Sequence, residues 1–139
     1  MPVAGRKPKP QGQAVHRVKP VHEWVEVVNT PYRGGPRLPD RQPGGAPWPS
    51  QTKRWWKTIS SMPHCVLWAE SDWVFAEHTA RLVAAFDAGM LRLATEIRNR
   101  EKLLGTTVDS RRDLRIRYVD VLPVDPVANV VSLDAYRDL

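Results

Sequence analysis

Residues 71–105, SDWVFAEHTARLVAAFDAGMLRLATEIRNREKLLG, decide the fold. Apolar side chains at Trp73, Ala76, Ala80, Val83 and Ala84 recur with helical period, and Phe75, Leu82 and Phe86 widen the stripe. A helix that apolar must be largely buried. Ser71 reads as its N-cap, Glu77 and Arg81 form a favourable i,i+4 pair, and Gly89 ends it. From Met90 the pattern repeats. Met90, Leu93, Ala94, Ile97 and Leu104 share one stripe, Arg92, Glu96, Arg98, Arg100 and Lys102 lie elsewhere, and Gly105 follows the end. Two helices separated by a short glycine break predict an antiparallel helical hairpin.

Upstream, SQTKRWWKTIS predicts a first helix capped by Ser50 and closed near Ser61, ahead of Pro63. Ile59 follows Trp55 by four residues and Trp56 by three, so the three share a face. Downstream, Thr107 reads as the N-cap of a last helix, VDSRRDLRIRYVDVL, ended by Pro123. Leu114, Tyr118, Val121 and Leu122 keep helical spacing, and Asp113 to Arg117 adds an i,i+4 pair, which favours helix. Leu114, Ile116 and Tyr118 also alternate, so a strand over residues 114–122 stays open.

The expected fold is mainly α: a compact helical core over residues 50–122, a disordered basic N-terminal arm and linker over 1–49, and a short extended C-terminal docking tail over 123–139. Within the first part, VHEWVEVV at 21–28 suits a short strand. Residues 29–49, rich in Pro and Gly, are expected to run extended over the folded part. The split is visible in composition. Residues 1–50 hold 10 of the 13 prolines and 6 of the 8 glycines. Residues 1–54 carry 10 Lys+Arg and 3 Asp+Glu, against 11 and 12 in residues 55–139. A stretch so dense in Pro and Gly cannot offset the ordering entropy of a packed core of its own.

Several functions fall away. One cysteine excludes an internal disulfide and a thiolate zinc cluster. No apolar run reaches the ~18 residues of a membrane span, and the basic N-terminus lacks the apolar stretch of a secretory leader. The free thiol of Cys65 suits a reducing cytoplasm. No phosphate-binding GxxxxGK[ST], GxGxxG or HExxH motif is present. His64, Cys65 and His78 have poor chelating spacing, and a Cys–His nucleophile needs a stabilised thiolate and an orienting third group. Neither catalysis, metal nor cofactor is expected.

The charge points to nucleic acid instead. Arg6, Lys7, Lys9, Arg17 and Lys19, nearly without acids, are what a phosphate backbone attracts. Arg111, Arg112, Arg115 and Arg117 form a second cluster. On a helix Arg111 and Arg115 would stack, with Arg112 beside them, facing away from Leu114 and Tyr118. The plain alternative is a polar face paired to Asp109 and Asp113. Trp55, Trp56, Trp68 and Trp73 are dense for a core of about 74 residues, which buries only about 60% of its unfolded surface. Core or subunit interface is the natural use of such rings. Stacking on single-stranded bases is the sharper one.

The runs WPSQTKRWWKTISSMPHCVLWAESDWVFAEHTARLV and EIRNREKLLGTTVDSRRDLRIRY resemble the small terminase subunit of tailed bacteriophages, particularly phages of actinobacteria. The resemblance covers roughly residues 24–137. The second run is similar to a signature of a Leu-Gly-Leu-Thr turn followed by an Arg-rich helix, with Val108 where proline is frequent. The resemblance implies a ring-like homo-oligomer that recognises double-stranded viral DNA in the host cytoplasm. It implies delivery of that DNA to the large terminase subunit, which holds the ATPase and nuclease. It makes the Arg111–Arg117 segment and the basic arm candidate DNA contacts, the four tryptophans candidate oligomer contacts, and the C-terminal segment a candidate dock for the large subunit. A DNA-binding transcriptional regulator, a structural head–tail adaptor and a small Cys–His hydrolase are the competing expectations.

Overall fold

The computed structural model describes residues 23–121. Of the arm and linker expected over 1–49, residues 1–22 lie outside the described residues, as does the tail expected over 123–139.

The chain enters as β1 (Val25–Val28). The proline-rich segment that follows is strapped across the helices. α1 spans Ser50–Ser60, a 3₁₀ turn Pro63–Leu67, and α2 Glu70–Asp87. A second 3₁₀ turn, Leu91–Leu93, leads into α3, Ala94–Leu104. α4 is short, Val108–Asp113, and β2, Ile116–Val119, ends the described part. The fold is mainly helical, as expected. Arg100 of α3 lies over Phe75 near the start of α2, while Ala94 and Ile97 face Val83 and Phe86 near its end. The two helices are therefore antiparallel.

Helix ends follow local chemistry. Ser50 is the first helical residue and not the cap. Pro49 holds that position, and its carbonyl accepts from Lys53 N–H at 3.0 Å. α2 likewise starts before the expected Ser71, because the Asp72 carboxylate reaches back to Ala69 N–H at 2.8 Å. α3 ends at Gly105 in the left-handed region, φ 74°. Thr107 caps α4 as expected. Its hydroxyl accepts from Ser110 N–H at 3.2 Å, and Ser110 Oγ accepts from Thr107 N–H at 3.0 Å.

The long last helix does not form. The helix stops at Asp113, Arg115 turns to φ 57°, and the chain becomes β2. The expected stacking of Arg111 and Arg115 on one helical face is lost with it. The cause is pairing: β1 supplies a parallel edge with Val25 opposite Ile116 and Val27 opposite Tyr118. Val25 N–H bonds Arg115 O and Asn29 N–H bonds Val119 O, each at 2.8 Å. Parallel strands need a long crossover, and here the whole helical unit serves as that crossover.

The core gathers Trp48, Trp56, Ile59, Cys65, Trp73, Ala76, Ala80, Ala84 and Leu104. Tyr32 and Leu38 of the strap pack on it. Tyr32 stacks on Trp73 with ring centroids 6.0 Å apart. Gly35 crosses Trp73 so closely that a Cβ there would meet the indole at 2.7 Å. The small alanines of α2 let these large rings approach the helix. Among the described residues no helix is long and apolar enough to cross a membrane.

Candidate nucleic-acid interface

The Arg111–Arg117 cluster is reshaped by the turn into β2. Arg111, Arg112 and Arg117 line one hollow of about 300 Å³ beside Trp24 and Tyr118; Arg115 does not line it. Arg111 is used internally. Its guanidinium donates to Gly105 O at 3.1 Å and lies 4.9 Å over the Tyr118 ring. The helical reading had placed it facing away from Tyr118, and the strand reverses that. Arg117 pairs across the sheet with Glu26. Arg112 is the exposed member. Arg6, Lys7, Lys9, Arg17 and Lys19 lie outside the described residues.

The tryptophans serve the chain itself. Trp56 and Trp73 are 6% and 7% exposed, leaving no free face for a base or a second copy. Trp56 donates to Pro36 O at 3.2 Å. Half-buried Trp68 meets Trp73 edge-on at 4.7 Å. Half-buried Trp55 donates to Glu101 Oε1 at 2.8 Å, tying α1 to α3.

His64 and Cys65 are neighbours with separate tasks. His64 is buried, with Nε2 2.7 Å from Leu104 O and Nδ1 2.6 Å from Tyr118 Oη. A carbonyl only accepts, so Nε2 carries the proton, and Nδ1 accepts from the Tyr118 hydroxyl. Burial holds the imidazole pKa below its ordinary value, the Leu104 carbonyl opposes this, and the nearby Arg111 charge adds to the lowering. Cys65 donates to Ile59 O at 3.1 Å, and burial pushes its thiol up to about 12. A thiol held protonated, beside an imidazole engaged elsewhere, is not an activated nucleophile. Among the described residues no three His, Cys, Asp or Glu side chains group as metal ligands. An open groove of about 490 Å³ between α1, α2 and α3 mixes Arg54 and Arg98 with Asp87 and Glu101, so it is not an anion cradle.

The largest run of cations among the described residues lies elsewhere. Arg33, Arg37, Arg41, Lys53, Arg54 and Lys57 are all exposed, and Asp40 is the one acid between Thr30 and Ser61. Sequence reasoning passed over these residues because three of them sit in a proline-rich linker. The signal was present: no acid occurs between Asp40 and Glu70.

A helical chain with a concentrated cationic surface and a protonated, buried thiol agrees with the comparison to known proteins. No curated protein and no solved structure matches the chain. A family model described as phage terminase small subunit matches residues 3–139. Because that match spans nearly all 139 residues, the chain belongs to the phage terminase small subunit family, whose role is in phage DNA packaging and whose members are generally non-catalytic.

Proposed function

We propose that this protein recognises double-stranded viral DNA at the start of packaging and delivers it to the large terminase subunit, without catalysis of its own. The observation that carries the reading is the family match along the chain. The exposed cations support it. The basic arm, with Arg6, Lys7, Lys9, Arg17 and Lys19, adds sequence-independent affinity through counterion release. Arg112 is the member of its cluster with a side chain open to a phosphate. The C-terminal segment docks the large subunit. The protein works as a homo-oligomeric ring. Contacts between copies fall to the exposed apolar side chains Val66, Leu67, Leu91, Leu103 and Val108, with half-buried Trp55 and Trp68 beside the buried Trp56 and Trp73.

Light scattering behind a sizing column, with and without a DNA duplex, tests the reading. A closed oligomer well above a dimer that shifts on adding duplex is expected. A monomer or dimer that still binds duplex would favour a regulator. No binding at low salt would leave an adaptor role.

A further inference from the structure

The strap from Thr30 to Pro49 and helix α1 together build a cationic face in which exposed Asp40 is the one acid. Three hydrogen bonds set the strap's course. Tyr32 N–H bonds Ser61 O at 3.0 Å, Trp56 Nε1 bonds Pro36 O at 3.2 Å, and Trp48 Nε1 bonds Pro39 O at 2.8 Å. Tyr32 thus sits at the end of α1, Pro36 at its middle and Pro39 at its entry. The strap runs antiparallel to the helix, on the side marked by Trp56. At about 100° per residue, Lys53 and Lys57 follow Trp56 by about 60° and 100°. They turn away from buried Thr52 and Ile59, and Arg54 lies beyond them. Arg33 and Arg37 flank Pro36 on the strap itself.

All five side chains are exposed, and none of the five has an ion-pair partner among the described residues. The arrangement works against the helix. α1 has no acid in its first turn, Lys53 and Lys57 are like charges four apart, and Lys53 and Arg54 sit near the positive end of the helix dipole. Among the described residues no ion pair offsets that repulsion, and an external polyanion would.

We infer that the strap–α1 face is where the phosphate backbone of duplex DNA lies, with Arg33, Arg37, Lys53 and Lys57 as phosphate contacts and Arg54 at its margin, beside the mixed groove. The inference rests on the DNA-binding reading above and assigns the place on the fold. The backbone is the occupant because Trp48 and Trp56 are buried, while half-buried Tyr32 is stacked on Trp73 and half-buried Trp55 is tied to Glu101, so the rings of the strap and of α1 are engaged within the chain. α1 has 11 residues and so a length of about 16 Å, while a duplex carries one charge per ~1.7 Å of axis. A face of that length meets several phosphates at once without reading sequence.

The test uses the full chain. Duplex binding is followed by fluorescence anisotropy across a salt titration, for wild type and for the quadruple variant Arg33→Gln, Arg37→Gln, Lys53→Gln, Lys57→Gln. The variant is expected to bind at least about tenfold more weakly at ~0.1 M salt, on any duplex sequence. Its log–log salt slope should be shallower by about three to four, near 0.9 for each lost contact. Unchanged affinity and slope, with wild-type binding intact, would overturn the assignment and leave the DNA reading standing. Wild type that binds no duplex at low salt would overturn both. Loss of self-association with duplex binding unaltered would overturn it in favour of a second copy, whose α2 carries Glu70, Asp72 and Glu77. Acetylation of wild type, with and without saturating duplex, gives a readout that no misfolded variant can obscure. Lys53 and Lys57 should be protected and Lys102 of α3 should not. Equal labelling of all three would overturn the assignment.

Discussion

His64 and Tyr118, 54 positions apart, share a 2.6 Å hydrogen bond with their rings stacked at 5.9 Å. The contact joins the Pro63–Leu67 turn to β2, and Nε2 of the same imidazole joins both to the end of α3. Tyr118→Phe keeps the stack and the platform under Arg111 but removes the one partner of Nδ1 among the described residues. An unsatisfied buried acceptor costs about 1–3 kcal/mol. Urea denaturation should show a loss of that size, and a variant as stable as wild type would show that the hydroxyl does not matter.

The same imidazole makes stability depend on pH. Protonating Nδ1 would confront the Tyr118 hydroxyl with a second donor, place a charge in a buried site and set it near Arg111. The folded chain therefore binds this proton less readily than the unfolded chain, whose histidine titrates near 6.5. The stabilisation is fully present above that value and is lost as pH falls below it, by at most about 1.4 kcal/mol per pH unit. Denaturant midpoints should hold from pH 8.5 to 7.5 and drop between 6.5 and 5.5. A midpoint constant down to 5.5 would mean that the imidazole is not held neutral.

Gly105 is under two constraints. Its φ is 74°, and a Cβ there would meet His64 Nε2 at 2.9 Å and Leu114 at 3.2 Å. Gly105→Ala should cost about 1–3 kcal/mol for the backbone alone, with more from displacing His64. Gly89→Ala is the comparison. Its φ is 110° with nothing within 4 Å, so strain acts there without a clash. Thermal melts of the pair should rank Gly105→Ala lower, and the reverse order would remove the packing argument.

The parts of this fold that were legible are those whose causes are local. α1, α2 and α3 follow from apolar spacing and from Gly89 and Gly105. The segment after Asp113 satisfied both a helical and an alternating pattern, and what decided it was β1, which lies 91 positions from its partner residues. Arg117 takes Glu26 at that separation, and neither Glu26 nor Tyr118 can be assigned as a partner of the arginines from spacing alone. Ser71 lost the cap to Ala69 because one carboxylate, Asp72, could bond back to it. The strap cations Arg33 and Arg37 were hidden for a similar reason: contacts distant in sequence, among them the hydrogen bonds to Ser61 and from Trp56, bring them beside α1.

Cys65 should be chemically silent in the folded chain. It is 0% exposed, its Sγ donates to Ile59 O, and its thiol is pushed up to about 12. A thiol-specific disulfide reagent at pH 8 should react many-fold more slowly with native protein than with protein in denaturant, following the fraction opened. Rapid native labelling would place the thiol at the surface. Cys65→Ala should leave duplex binding intact while costing stability for a lost core contact, and full retention of function in that variant would remove the hydrolase reading.

Arg111 and Arg112 are adjacent in sequence and opposite in use. Arg111 donates to Gly105 O and covers the Tyr118 ring, so Arg111→Gln loses a charge-assisted hydrogen bond and a cation–π contact. These are worth about 1–2 kcal/mol together at a half-buried site. Arg112 is exposed, so Arg112→Gln should leave stability within about 0.5 kcal/mol. If it contacts a phosphate, that substitution should reduce the salt slope of duplex binding by about one. Denaturation and salt-dependent anisotropy on both variants separate the two roles. Arg111→Gln should shift the melt and Arg112→Gln the slope. A slope change from Arg111 at unchanged stability would mean that its guanidinium leaves Tyr118 to meet the DNA.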